Sequence, residues 1–372
     1  MTSPPRIFAH HMLHEIYEQP AAVRDTFRHA LLQPARFAAT VATALASVRR
    51  VLIAASGTSR HAGIAGKFML ETLAGIPVEV DYSSELQHAP LPPGTDTLVV
   101  VITQSGETAD TLAALRWARA GGAKVLAICN VADASVMREA DAAIHTKAGP
   151  ELAVPSTKAF TAQMAVLYLF ALYLGQVRGK FSKEQRRQYI RELLDLPGKV
   201  ETLLKSAPAA CERLADKFYK VEDFLFMGRA IHYPVAMDGA LKLKEVSYIH
   251  AEGYPTGETK HGPNAMIDEN LPVVIIATCD RNDSGSVLRY EKNLANIRGF
   301  KQQSARVIAI ASEGDEELRA LADYTIFVPH ASELLLPILE IVPLQLFAYY
   351  MTVKKGLDVD RPRNLVKSVT LE

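Results

Sequence analysis

The chain has 372 residues, enough for two domains with sizeable cores, and 41 Lys and Arg balance 41 Asp and Glu. A formal charge of zero argues against partners held by bulk electrostatics, so neither nucleic acid nor an anionic membrane is expected. Cys129, Cys211 and Cys279 are widely spaced and sit in or beside apolar segments, which points to buried thiols rather than a disulfide scaffold.

Residues 1–20 carry charges throughout and contain no apolar signal core, so a cytoplasmic protein is expected. Residues 12–47 read as mostly helical and are expected to pack across the domains. The first β-run, 51–59 (VLIAASGTS), ends in Gly57-Thr58-Ser59 and is followed by a helical pattern over 60–73. The next, 98–111 (LVVVITQSGETADT), stops in Thr-Gln-Ser-Gly-Glu-Thr before another helix. Strands that end this way leave helix N–H groups facing a crevice, and the hydroxyls of Thr103, Ser105, Thr108 and Thr111 add donors. No Lys or Arg lies between 98 and 111, so an anion there would be held by neutral donors. Either loop alone is equally well an ordinary Ser/Thr-capped turn. Two of them converging at the carboxyl edge of one parallel sheet favour a phosphate site. Neither carries a dinucleotide or nucleotide glycine motif, so a small phosphorylated metabolite is the expected ligand.

Further strands are expected at 125–129 and 142–146. The long apolar stretches 159–174 and 334–353 carry Thr161, Gln163, Glu340 and Gln345 and read as buried core helices, not membrane spans. The strands at 51–55, 98–103, 125–129 and 142–146 are answered in order by 223–227, 273–278, 307–311 and 324–328, and the two apolar helices also correspond. The chain is therefore read as two copies of one α/β domain with parallel sheets. They join around the stretch 179–195, which is charged and helical and then meets Pro197-Gly198. The second copy lacks the hydroxyl-rich loops: Gly228-Arg229-Ala230 and Thr278-Cys279-Asp280 stand in their place.

Reactive side chains collect in 241–263 (LKLKEVSYIHAEGYPTGETKHGP) and in the tail 361–372 (RPRNLVKSVTLE). Lys242, Glu245 and Ile249 lie at helical spacing, so Lys242 and Glu245 share a face either as a solvated salt bridge or as a general base beside a tuning cation. His261 sits in a Gly/Pro-bounded loop, where a histidine is as readily a plain surface residue. Lys367 lies among Val366, Val369 and Leu371, which suits either an amine in an apolar pocket or an exposed lysine on a docked tail.

The motifs SGTS (56–59), QSGETADTLAAL (104–115), ICNV (128–131), STKAFTAQ (156–163), ALKLKE (240–245), YIHAE (248–252), KHGP (260–263) and PRNLVKSVT (362–370) resemble the isomerase half of the glucosamine-6-phosphate synthases, the isomerizing glutamine:fructose-6-phosphate aminotransferases. That family is built on paired SIS (sugar isomerase) domains, and the resemblance spans essentially the whole chain. It implies two tandem SIS domains, each a flavodoxin-like three-layer sandwich. The expected division is a helical segment at 1–47, SIS domain 1 at 48–180, a helical linker at 181–212, SIS domain 2 at 213–356 and a catalytic tail at 357–372. It further implies that Ser59, Thr103, Gln104, Ser105 and Thr108 hold a sugar phosphate, with Thr103 where serine is common. Val154 and Ser156 would contact the sugar hydroxyls. His261, from a neighbouring subunit, would assist ring opening, which makes the expected assembly a homodimer with a shared site. Lys367 would form a Schiff base at C2, and Glu245 would move the proton between C1 and C2 with Lys242 assisting. Val366 and Pro155 replace smaller residues and would narrow the pocket slightly. No cofactor or metal is implied.

The chain starts where the isomerase half would start and has no amino-terminal cysteine of a glutaminase. The expectation is therefore an isomerase interconverting fructose 6-phosphate plus ammonia and glucosamine 6-phosphate. It would use free ammonia, receive it from a separate subunit, or run as a deaminase. The alternatives are a deglycase or isomerase of another phosphosugar amine, and a non-catalytic sugar-phosphate sensor. The sensor would need the phosphate loops but not Glu245, His261 and Lys367 together.

Overall fold

The computed structural model describes residues 8–32, 39, 42 and 48–370. Two parallel five-stranded sheets form from the apolar runs. The first contains β1 (Arg50–Ala55), β2 (Val78–Tyr82), β3 (Thr97–Thr103), β4 (Lys124–Cys129) and β5 (Ala142–His145), in the order β2-β1-β3-β4-β5. The second contains β6 (Asp223–Gly228), β7 (His250–Pro255), β8 (Val273–Ile276), β9 (Val307–Ser312) and β10 (Tyr324–Val328), in the equivalent order β10-β9-β8-β6-β7. Both are doubly wound sheets of flavodoxin type, whose ligand crevice lies where the strand order reverses, beyond the carboxyl ends of the first and third strands. All of β3 and all of β9 are buried, as central parallel strands covered on both faces must be.

The longer helices among the described residues are α1 (His11–Leu32), α2 (Gly57–Ala74), α3 (Ala109–Ala120), α4 (Lys158–Val177), α5 (Lys183–Phe218), α6 (Tyr233–Ser247), α7 (Ser284–Gln302) and α8 (Leu336–Lys354). The apolar helices α4 and α8 are mostly buried and act as core helices. Helix α2 packs on α4 of its own domain and on α6 of the other, while α1 lies against α4, α5 and α8. The two halves therefore share one core, and within it His61 Nδ1 of α2 meets Asp238 Oδ1 of α6 at 3.1 Å. Cys129, Cys211 and Cys279 are buried free thiols.

At the charged linker, α5 runs for 36 residues without a break, through Pro197 and Pro208. A capping box at Ser182 and Gln185 starts it, and Leu193, Leu196, Val200, Leu203 and Leu204 bury a continuous stripe that outweighs the N–H groups lost at each proline. Strands β2 and β7 were not anticipated. Strand β7 carries Gly253 and Pro255, residues that weaken a strand signal, and they are tolerated because β7 is an edge strand paired with β6 alone. Ile249 does not continue the helical face of Lys242 and Glu245, because Tyr248 adopts a left-handed conformation (φ 59°) and ends α6. Of the helical segment anticipated at 12–47, α1 accounts for the part up to Leu32; most of 33–47 lies outside the described residues.

Under the second sheet's crevice, buried His232 contacts Glu333 at 3.1 Å and Glu340 at 2.8 Å, and Arg289 Nε donates to Glu333 at 2.8 Å. Burial opposes the imidazolium, but the two carboxylates outweigh it and push the His232 pKa up to about 10 from an ordinary 6.5. A folded pKa above the unfolded one gives stability that is complete below pH 6.5 and lost as pH rises through about 10. The melting temperature is thus expected to fall by more than about 3 °C between pH 7 and pH 10. His232→Asn should be less stable at pH 7 and should flatten that alkaline slope. Parallel melting curves for the two proteins across this range would contradict the assignment.

Candidate active site

Strand β1 delivers Ser56–Ser59 and β3 delivers Thr103–Thr108 to the crevice of the first sheet. Helix α2 starts at Gly57 (φ 52°), and neither the Ser56 hydroxyl nor the Thr108 hydroxyl caps its helix, so first-turn helix donors other than the Ala109 N–H are left uncapped by these hydroxyls and can face a ligand. The second loop turns at Gly106 (φ 75°), where a Cβ would lie 2.3 Å from Ala134 Cβ and 2.8 Å from Cys129 Sγ. Only glycine fits that turn. Thr103 Oγ1 accepts the Gly106 N–H at 3.1 Å, and the Thr103 and Thr108 hydroxyls lie 3.4 Å apart. Ser59 Oγ accepts from Gln163 Nε2 at 2.9 Å, which ties the first loop to α4.

The C-terminal tail closes this crevice. The hydroxyls of Ser105 and Ser368 share a hydrogen bond of 2.9 Å, and the Val369 carbonyl accepts the Ala109 N–H at 3.1 Å. Farther back, the Tyr248 hydroxyl accepts the Arg363 N–H at 2.8 Å, and the Arg363 guanidinium lies 4.1 Å from the centre of that ring. The resulting cavity, about 230 Å³, is lined by Ser59, Thr103, Gln104, Ser105, Thr108, Val154, Ser156, Lys242, Glu245 and Lys367, together with backbone and apolar neighbours. Its volume lies below the range of about 300–1,000 Å³ typical of drug-sized ligands, which suits a small metabolite.

Lys242 and Glu245 are not a solvated pair. Lys242 is 1% exposed and its Nζ donates to Glu245 Oε2 at 2.6 Å. Burial works against the Lys242 charge, but Glu245, Asp238 and Glu151 hold its pKa above the ordinary lysine value. Glu245 is partly exposed while Lys242 is buried, so removing Glu245 strands a buried ammonium, a loss of up to about 3–5 kcal/mol.

Lys367 differs from its expected setting. It does not lie within an apolar cluster: Val366 is 65% and Val369 50% exposed, and Leu371 lies outside the described residues. Its Nζ instead donates to Glu151 Oε2 at 2.5 Å. Glu151 was not anticipated from sequence. It is buried and also accepts from Thr157 N at 2.9 Å, Ala159 N at 3.1 Å and Ser156 Oγ at 3.1 Å. Burial would raise its pKa, but Lys367 and these donors hold it below the usual glutamate value. The isolated acid in Gly149-Pro150-Glu151, just before an apolar helix, was the available signal. His261 is exposed on the short turn Thr256–His261 and does not line the cavity.

The corresponding crevice of the second sheet is larger, about 770 Å³, and is lined by Asp280, Arg281, Arg289 and Glu333 among others. It lacks the hydroxyl-rich loops and the lysine–glutamate pair, so its size does not make it the reactive site.

Residues 44–173 and 217–355 each match the SIS domain family. The chain is 47% identical over 370 residues to the isomerizing glutamine–fructose-6-phosphate aminotransferase of Chlorobaculum tepidum, covering 98% of this chain and 59% of that protein. It is 46% identical over 365 residues to the enzyme of that name from Aquifex aeolicus, with 98% and 58% covered. The chain thus spans somewhat under three-fifths of the length of these curated relatives. The solved C-terminal domain of glucosamine-fructose-6-phosphate aminotransferase from Francisella tularensis superposes with a TM-score of 0.88 at 35% identity, covering 97% of this chain and 100% of that one. With both halves matched and that domain covered throughout, this chain belongs to the SIS-domain family, among the C-terminal domains of the glucosamine-fructose-6-phosphate aminotransferases.

Proposed function

We propose that the chain is an amino-sugar-phosphate aldose–ketose isomerase that links fructose 6-phosphate and ammonia to glucosamine 6-phosphate. The observation that carries this reading is the tail docked on the Thr103–Thr108 loop, which puts Lys367 in the same cavity as Lys242 and Glu245. The loops hold the phosphate through neutral donors, with Ser59, Gln104, Ser105 and Thr108 as its ligands, and Val154 and Ser156 meet the sugar hydroxyls. Glu151 takes the proton that Lys367 must lose before its amine adds to the C2 carbonyl. Loss of water then gives the imine. Ammonia displaces the lysine from C2. Glu245 next moves a proton from C1 to C2 while the O1 hydroxyl proton passes to the nitrogen, and a 2-amino aldose results. Lys242, through its hydrogen bond to Glu245 Oε2, keeps that carboxylate aimed at these carbons.

The reverse direction uses the same groups and makes the chain a glucosamine-6-phosphate deaminase. A cytoplasmic homodimer, with His261 reaching the site of its partner to open the sugar ring, belongs to this proposal. So does a separate ammonia-supplying subunit as one source of ammonia. His261 supports the dimer because it is solvent-exposed and lies outside its own chain's cavity.

Pure protein should convert fructose 6-phosphate and ammonium to glucosamine 6-phosphate, or the reverse, when both sugars are followed by NMR. Borohydride should trap fructose 6-phosphate on wild type and not on Lys367→Ala. Failure to convert in either direction points to a sensor, and trapping that survives Lys367→Ala removes the Schiff-base role. Mixed dimers of inactive His261→Ala and inactive Glu245→Ala subunits should regain about a quarter of wild-type activity, since random pairing leaves one intact site in half the dimers. Verified mixed dimers that stay inactive would count against the shared site.

A further inference from the structure

Helix α1 carries a buried acid that the reaction does not use. Glu15 is 2% exposed, and its Oε1 accepts the backbone N–H groups of Leu152 and, at 3.3 Å, Ala153. Its other oxygen, Oε2, has no hydrogen-bond partner among the described residues. A helix that needed only to pack would place an apolar residue here, as it does with Met12 and Ile16, both fully buried. Burying a carboxyl with one oxygen unmet is costly, so the two loop N–H groups are the return on that cost.

Those two amides belong to the loop that bears Glu151, Val154 and Ser156. The next amide, Val154 N, donates to the Asp360 carbonyl at 2.9 Å, and the Asp360 carboxylate accepts from His11 N at 2.9 Å and Met12 N at 2.8 Å at the start of α1. Seven residues later the same tail presents Lys367. Helix α1 is thus bonded at its first turn to the tail and one turn later to the sugar loop. It sets the distance between the two segments that must meet across a substrate.

We propose that Glu15 is a positioning residue for the sugar-contacting loop 151–156, and through Glu151 for the lysine amine. The inference rests on the proposed reaction for its kinetic consequence but not for its structural one. Burial, with repulsion from Glu151, pushes the Glu15 carboxyl up to about 7, so a neutral side chain is tolerated at this position. An amide at the same place keeps an oxygen for Leu152 N and Ala153 N and fills the Oε2 site with a neutral NH2 group.

The test compares wild type, Glu15→Ala and Glu15→Gln as full chains. Hydrogen exchange of the peptide covering 150–156 reports the loop, and steady-state kinetics with fructose 6-phosphate and ammonium reports the site. Glu15→Ala should exchange Leu152 and Ala153 at least tenfold faster and raise KM for the sugar at least tenfold, with a smaller effect on kcat. Glu15→Gln should bring both within about threefold of wild type. If Glu15→Ala does not fold, Glu15→Asp, one methylene shorter, takes its place. Loop exchange within twofold of wild type in Glu15→Ala, or Glu15→Gln as impaired as Glu15→Ala, would overturn the inference. A wild type that turns over no sugar defeats the proposed reaction instead, and loop exchange alone then decides the role of Glu15.

Discussion

The site depends on one non-covalent closure: the tail lying down on the hydroxyl loop after β3. Lys367 on Glu151, the Ser105–Ser368 hydrogen bond and the Val369 carbonyl on Ala109 N hold its far end, and Arg363 on Tyr248 and Asp360 on Val154 hold it farther back. Chain ends fray unless something fixes them, and this tail is fixed at Asp360, Arg363, Lys367, Ser368 and Val369. The phosphate loops belong to the first domain, Lys242 and Glu245 to α6 of the second, and the lysine to the tail. Each part alone is an ordinary local motif. Together they line one cavity.

Charge is managed differently at the two ends of that cavity. The end formed by the loops after β1 and β3 has hydroxyls and helix N–H groups, so the proposed phosphate would bind there without a competing internal salt bridge to break. The other end, where the proposed reaction would take place, has two lysine–glutamate pairs, Lys242–Glu245 and Lys367–Glu151, in which each ammonium has a carboxylate within hydrogen-bond reach. The Lys367 ammonium and the backbone donors hold the Glu151 carboxyl below the usual glutamate value although it is buried. The domain duplication explains the division of labour. The second sheet keeps the same strand order, but its crevice has become a region of buried ion pairs around His232 and Glu333.

What the sequence disclosed follows from how local each signal is. An apolar run ending in Thr103-Gln104-Ser105-Gly106 announces its strand, its turn and its donors within a few residues. Lys242 and Glu245 are legible because an i, i+3 relation is fixed by helix geometry. Glu15 and Glu151 are not, because their meaning comes from contacts made 138 and 216 residues away in the chain. The solvent exposure of Val366 and Val369 was equally unreadable, since a short apolar tail looks the same whether its valines face in or out. At Pro197-Gly198 local propensity pointed the wrong way, and a buried leucine stripe contributed by the whole fold overrode it.

The central claim is that phosphate loops, α6 and tail form a single substrate site. A crystal structure of the chain with fructose 6-phosphate tests it most directly. The account predicts the phosphate among Ser59, Ser105 and Thr108, with C1 and C2 between Glu245 and Lys367. A phosphate seated in the crevice of the second sheet, or a sugar chain directed away from both Glu245 and Lys367, would contradict it.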